Sequence, residues 1–275
     1  MTPGAAAYPG ASLPGQRASL PGQRARRLRL AAHQARLEQR AFWRNPEYAA
    51  LTFALPLVLL LVLGATIAGH RQPVTNVPET TLFVPGMLAF GLIVAAYANL
   101  ASRIAVLRSD GVLKRVAATP LPPAAYLAGQ LASTFVTTAL IAAAAVALGG
   151  GAFGAVPRPG GVLPLLLGLG TGTVCLTALA LAVSAVIPSA EAAGAVTLAS
   201  YLPFAILSGV FSTTLVLPGW LSRGLAGFPV KALVDVLRAG YAPGPQHFPA
   251  AGLAVLSAWA LIGIVLARRF FRWQP

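Results

Sequence analysis

Long apolar runs, separated by short polar stretches, are the dominant pattern of this chain. A bilayer core about 30 Å thick is crossed by a helix of about 20 apolar residues, and six runs reach that length. The pattern therefore predicts an all-α polytopic membrane protein. Pro188 should end the fourth run, because proline stops a helix, so runs four and five are predicted to form a tight hairpin. The predicted spans cover residues 49–69, 82–101, 127–148, 162–187, 192–211 and 249–267.

Composition supports the same fold class. Hydrophobic residues make up 57% of the 275 positions and charged residues only 9%, against roughly 25% charged in soluble domains. So few charges cannot cover the surface of a water-soluble enzyme, and so apolar a chain is not disordered. The single cysteine, Cys175, excludes an internal disulfide and is interpreted as a packing residue.

The basic residues predict the orientation. Fifteen of the 20 Lys and Arg residues lie before the first span, between spans two and three, or after the last span. Basic residues beside spans favour the cytoplasmic side. Both termini and the loop of residues 102–126 are therefore predicted to be cytoplasmic.

The segment before the first span divides into two parts. Residues 1–25 are rich in Pro, Gly and Ala and contain the sequence ASLPGQR twice, which predicts a disordered tail. Residues 26–44 carry basic side chains on one stripe of a helical wheel, which predicts a helix lying in the membrane interface. An unstructured basic flank is the alternative. The residues expected to contact lipid are Arg29, Arg36, Arg40, Phe42 and Trp43.

Two loops are longer and more regularly patterned than simple connections between spans require. In residues 102–126 apolar and charged positions alternate, which suits a short amphipathic helix that ends before Thr119-Pro120. It is either a docking surface or a solvated basic loop. Residues 212–248 are predicted to form re-entrant or interfacial helices on the outer face, with an ordinary loop as the alternative. In the helix predicted to begin at Pro229, one apolar face is expected to dip into the membrane. This face consists of Val230, Leu233, Val234 and Leu237.

Several kinds of chemistry are missing from the sequence. No span has a charge near its middle, as ion-coupled carriers would, and the three histidines lack metal-ligand spacing. No phosphate-binding loop is present either. The chain is thus predicted to be no enzyme, without metal or cofactor, and to receive energy from another polypeptide. A stand-alone secondary carrier or channel, and a membrane scaffold, are the alternatives.

Two motifs together suggest a family. The first runs from Asp110 through Gly111, Val112, Leu113 and Lys114 to Arg115, followed by Thr119-Pro120. The second combines residues 207–211 with Pro218, Trp220, Pro229 and Arg238. Over residues 26–272, with Val112 where many members have threonine, the chain resembles the membrane permease subunits of ABC exporters. The resemblance is to the second export class, which includes daunorubicin-type drug and polysaccharide exporters.

The resemblance implies a function and partners. It implies ATP-driven export, as in drug resistance, by a dimer of permease copies, identical or related, in the plasma membrane. The preference for Arg over Lys and the Ala, Gly and Pro usage fit a GC-rich bacterial genome. A separate cytoplasmic ABC ATPase and membrane lipids are the implied partners, and nucleic acid is not. Coupling to the ATPase is expected at Asp110, Gly111, Leu113, Lys114, Arg115, Thr119 and Pro120.

Overall fold

A computed structural model describes residues 21–72, 76–118, 122–212, 218–242 and 248–270. Within these ranges the chain is almost entirely helical and contains no β-strand. A π-helical turn covers Ile93–Ala98, and a 3-10 turn covers Pro159–Gly161. The helices are α1 (Pro21–Trp43), α2 (Pro46–Ile67), α3 (Glu79–Leu92), α4 (Asn99–Ser109), α5 (Val112–Ala117), α6 (Pro123–Phe153), α7 (Val162–Ser184), α8 (Ala193–Leu207), α9 (Gly219–Ala226), α10 (Pro229–Ala239) and α11 (Ala250–Phe270).

The predicted polytopic all-α membrane protein is confirmed. Among the described residues, five helical segments are long and apolar enough to cross a membrane. They are Pro46–Ile67, Glu79–Ser109, Ala124–Phe153, Pro159–Ser184 and Ala250–Arg269.

The fifth predicted span, residues 192–211, is shorter than expected. Helix α8 has 15 residues, or roughly 22 Å at the α-helical rise, which is less than the bilayer core. It ends because the chain turns at Ser208 and Gly209, where Gly209 has a φ of 76°. This turn brings the carbonyl oxygen of Val210 so close to Gly86 that a Cβ there would lie 2.6 Å from it.

The predicted tight hairpin between spans four and five is wrong. Helix α7 ends at Ser184 and α8 begins at Ala193, and α8 packs against α4, the π-helical turn and α10. One reason is the polar contact between Tyr97 in the π-helical turn and Ser200 in α8, whose hydroxyl oxygens lie 2.7 Å apart. This contact holds α8 against the π-helical turn rather than against α7.

Helix α3 and the π-helical turn form the centre of the bundle. Every residue from 83 to 97 is buried, and α2, α6, α7 and α10 surround this segment. We call the end of the bundle with residues 102–118 the basic end, and the end with residues 218–242 the opposite end. Helices α2 and α6 start at the basic end, while α7 and α11 finish there.

Helix α10 lies inside the protein rather than in lipid. Val230, Leu233, Val234 and Leu237 are all buried, and α10 packs against α3, α7 and α11. Gly172 makes room for Leu233, since a Cβ on Gly172 would lie 2.6 Å from it. The expectation that these four side chains dip into the membrane is corrected accordingly.

Gly161 is a position where the backbone itself requires glycine. A Cβ there would lie 2.0 Å from the carbonyl oxygen of Gly240, which accepts a hydrogen bond of 3.1 Å from the N–H of Arg158. Gly161→Ala should therefore separate the start of α7 from the end of α10. We expect a loss of about 1–3 kcal/mol, measured as a lower thermal midpoint of the detergent-solubilised protein.

Gly160→Ala is the matched control, because a Cβ at Gly160 meets nothing within 4 Å. It should leave the midpoint nearly unchanged. Equal midpoints for the two variants would contradict the required backbone approach.

Candidate functional site

The turn between α4 and α5 is the first part of the candidate site. Helix α4 ends at Ser109, and Asp110 and Gly111 reverse the chain before α5. Gly111 has a φ of 67°, a conformation that costs a residue with a side chain and that glycine adopts readily. The guanidinium of Arg115 donates a hydrogen bond of 3.3 Å to the carbonyl oxygen of Asp110 across the turn.

This turn is anchored on one side and exposed on the other. Leu113 is completely buried in the core, whereas Asp110, Lys114 and Arg115 are exposed. The burial of Leu113 fixes α5 against the bundle and leaves the three charged side chains to face outward. Thr119 and Pro120, the other two predicted residues, lie outside the described residues.

Arg108 connects this turn to α7. From the last turn of α4, its guanidinium donates hydrogen bonds to the carbonyl oxygens of Ser184, at 2.8 Å, and Ile187. The last carbonyls of a helix have no partner within the helix, and a cation there also interacts favourably with the helix dipole. Arg108 thus caps α7 and joins it to the turn.

The sequence pattern did not predict this role of Arg108, which was interpreted only as one of the charges that set orientation. The Arg108 bonds are made to backbone carbonyls 76 and 79 positions away, and no residue type marks those carbonyls. The only signal in the sequence was the predicted end of span four near Pro188, because the last carbonyls of a helix need partners from outside the helix.

Helix α1 packs along α6 through a buried polar cluster. Gln39 donates hydrogen bonds to the carbonyl oxygen of Ser133 (2.6 Å), to its hydroxyl oxygen (3.0 Å) and to the hydroxyl oxygen of Thr137 (3.0 Å). Glu38, with its side chain only 7% exposed, forms an ion pair of 2.5 Å with Arg103 of α4. These contacts hold α1 to the membrane-spanning helices.

The residues predicted to touch lipid from α1 divide into two groups. Arg29, Arg36 and Arg40 are exposed, and Trp43 is 52% exposed and stacks on Phe53. Phe42, in contrast, is buried against Trp43, Phe53 and Tyr48. The helix also starts at Pro21, five residues before its predicted beginning.

A small cavity lies beside the ion pair. Its volume is about 30 Å³, enough for about two or three water molecules by the usual measure of about 10–15 Å³ each. Gln130 lines it, and the Oε1 atom of Gln130 is buried without a hydrogen-bond partner among the described residues. Nearby, Asn99 donates a hydrogen bond of 2.7 Å to Thr52. The polar side chains of this cluster therefore position helices. The described residues contain no group of three His, Cys, Asp or Glu side chains that could hold a metal ion.

Arg238 organises the opposite end. Its guanidinium donates hydrogen bonds to the carbonyl oxygens of Gly209 (2.6 Å), Leu82 (3.2 Å) and Ser212 (3.5 Å). Burial lowers the pKa of Arg238 from its ordinary value, and the nearby charge of Asp235 opposes this shift. Arg238 therefore fastens α10 to the start of α3 and to the turn after α8.

The other residues of the predicted outer motif surround this contact. Pro229 is buried at the start of α10, while Pro218 and Trp220 are exposed at the start of α9. Trp220 is 71% exposed, and an indole at a membrane boundary suits the lipid headgroup region. The structure thus buries Pro229, partly buries Arg238 and leaves Trp220 at the surface.

One known protein family matches most of this chain. The model of the ABC-2 type transporter family matches residues 35–241. The matched range contains the α4–α5 turn, Arg108, the Glu38–Arg103 pair and Arg238. No curated protein shows significant similarity to the chain.

Proposed function

Because this chain belongs to the ABC-2 type transporter family, and is therefore a membrane permease subunit of an ABC transporter, we propose that it is an export permease driven by a separate cytoplasmic ATPase. The α4–α5 turn is proposed to receive the force from that ATPase. Within the family the proposed subgroup is that of drug and polysaccharide exporters, and the proposed location is a bacterial plasma membrane.

The main support for this proposal is that the α4–α5 turn combines exposed charges with a buried anchor. Lys114, Arg115 and Asp110 are exposed on a segment that Leu113 anchors in the core. Exposed charges steer and orient a protein partner, and an anchored segment passes the partner's movement to the bundle. Leu113, Gly111 and the exposed trio are therefore proposed to act together, with Thr119 and Pro120 completing the docking surface.

Arg108 gives this proposal a physical route. It lies two residues before Asp110 and holds the end of α7 by two hydrogen bonds. A displacement of the turn therefore moves α4 and α7 together. Since α7 packs against α10 and α11, the movement can reach most of the helices.

A second permease copy is proposed to complete the substrate pathway. Helix α2 presents a row of exposed apolar side chains, with Leu51 at 65%, Val58 at 53% and Val62 at 56%. These positions share one helical face. Such a face suits either lipid or the same face of a second copy, and the proposed dimer uses part of it.

Reconstitution tests the proposed function. The full chain, purified with the ABC ATPase that co-purifies with it, is placed in vesicles, and uphill transport of a fluorescent drug is measured with and without ATP. We expect transport only with both ATP and the ATPase. Uphill transport by the permease alone would contradict the proposal and would favour a stand-alone carrier.

A further inference from the structure

A side cavity lies at the basic end, between α6, α7 and α11. Its volume is about 480 Å³, within the roughly 300–1,000 Å³ typical of small-molecule sites. Nine of its eleven lining residues are Ala, Leu, Val or Ile, and the other two are Thr177 and Arg268. The cavity is therefore apolar with two polar positions.

The shape of the cavity follows from how the three helices meet. Gly263 lets α11 approach α7 so closely that a Cβ there would lie 2.9 Å from Ala178. Helices α6 and α7 meet further toward the opposite end, where the hydroxyl oxygens of Thr138 and Thr173 lie 3.2 Å apart. Between that contact and the basic end the cavity separates α6 from α7 and α11.

Thr177 is a buried polar group without a hydrogen-bond partner in the described part of the chain. The residue is 3% exposed, it lines the cavity, and its hydroxyl has no hydrogen-bond partner among the described residues. Buried hydroxyls are nearly always hydrogen-bonded, because an unpaired one loses its contacts with water. A ligand with an acceptor or donor at this depth would satisfy it.

Arg268 lies at the mouth of the cavity. It is exposed in the last turn of α11, five residues beyond Gly263, which contacts α7 beside Thr177. Five residues of helix correspond to roughly 7 Å. The backbone of Arg268 is therefore about that much closer to the basic end than the level of Gly263 and Thr177. A cation above a buried hydroxyl and an apolar groove matches the order of phosphate, ester carbonyl and acyl chain in a phospholipid.

We propose that this cavity binds one anionic phospholipid of the cytoplasmic leaflet. An acyl chain fills the apolar groove, the Thr177 hydroxyl donates to an ester carbonyl, and Arg268 pairs with the phosphate. Anionic lipid is favoured because basic residues are concentrated at this end of the chain and the cytoplasmic leaflet carries anionic lipids. The inference rests on the membrane-spanning position of the chain and on the cytoplasmic orientation predicted for the basic end, and it is independent of ATPase coupling.

Native mass spectrometry of the full-length, detergent-purified chain tests this site. The protein is titrated with phosphatidylglycerol or phosphatidylcholine, and the one-lipid state is quantified. Ala128→Phe, which fills the cavity, should reduce binding of both lipids at least about tenfold. Arg268→Gln should weaken phosphatidylglycerol binding about fivefold, the effect of one interfacial cation, and change phosphatidylcholine binding little. Thr177→Val should weaken both lipids modestly.

Two control variants separate this site from general lipid adhesion. Ala132→Phe adds the same ring on an exposed part of α6 that does not line the cavity, and Arg269→Gln removes the neighbouring charge. Both should bind lipid as the parent does. The proposal is overturned if Ala128→Phe and Ala132→Phe bind equally, or if the parent retains a non-phospholipid amphiphile that phosphatidylglycerol cannot displace. Neither result would affect the ATP-dependence of transport, so the two proposals fail separately.

Discussion

Replacing both Lys114 and Arg115 with glutamate is expected to abolish ATP-driven transport. Both side chains are exposed beside the α4–α5 turn, so the variant should fold and insert normally. Reversing two charges at a docking surface turns attraction into repulsion, at a cost of several kcal/mol. Transport in vesicles should fall to the level without ATP, and the ATPase should no longer co-purify with the permease.

The matched control is Arg29→Glu with Arg36→Glu. This variant makes the same change in charge on exposed positions of a different helix, α1. It should retain most of the transport. Normal efflux by the Lys114/Arg115 variant, or equal losses in both variants, would remove the assignment of docking to this turn.

Glu38→Ala is expected to destabilise the protein by about 3 kcal/mol, at the lower end of the range for breaking a buried ion pair. The change leaves Arg103 without its partner, and Arg103 is partly accessible to water, with 25% of its side chain exposed. It also removes the acceptor of a 2.8 Å hydrogen bond from Gln34. Helix α1 should be held less firmly against α4, which limited proteolysis and a lower thermal midpoint would detect.

Two further variants make this test specific. Glu47→Ala removes an exposed acid from the first turn of α2 and should have a small effect. Glu38→Met with Arg103→Met removes both charges, so it should be more stable than Glu38→Ala alone. If Glu38→Ala unfolds at the same temperature as Glu47→Ala, the ion pair does not hold α1 in place.

The sequence predicted the helices of this fold well because each depends on a local pattern. The first span, predicted at residues 49–69, is α2 (Pro46–Ile67), and the last, predicted at 249–267, is α11 (Ala250–Phe270). The glycine of the α4–α5 turn was also predictable, since a sharp reversal after an amphipathic helix needs a residue that accepts a positive φ. The structure gives Gly111 that conformation.

The buried polar cluster could not be predicted in the same way. Gln39 and Ser133 are 94 positions apart, and Glu38 lies in a stretch of sequence dominated by arginine. Nothing local distinguishes an acid that pairs with Arg103 from one that faces water. Such contacts depend on which helix faces pack together, and that is decided by the whole bundle.

Helix α10 shows a second limit of sequence patterns. Its apolar stripe predicted correctly that one face avoids water, but protein interior and lipid are equally apolar. The stripe therefore could not show that Leu233 packs into the space above Gly172. The same ambiguity explains why the shortness of α8 was missed, because its apolar run continues through Val210 and Phe211 after the helix has ended.

The helical segment Glu79–Ser109 has a mechanical consequence. Its 31 residues form a rod of roughly 45 Å at the usual rise, without a loop to absorb strain. The rod runs from the turn at Gly111, at the basic end, to Leu82, whose carbonyl oxygen accepts a hydrogen bond from Arg238 at the opposite end. A tilt imposed at one tip is thus transmitted along the segment, so we expect the Gly111 turn and the Leu82 contact to shift together.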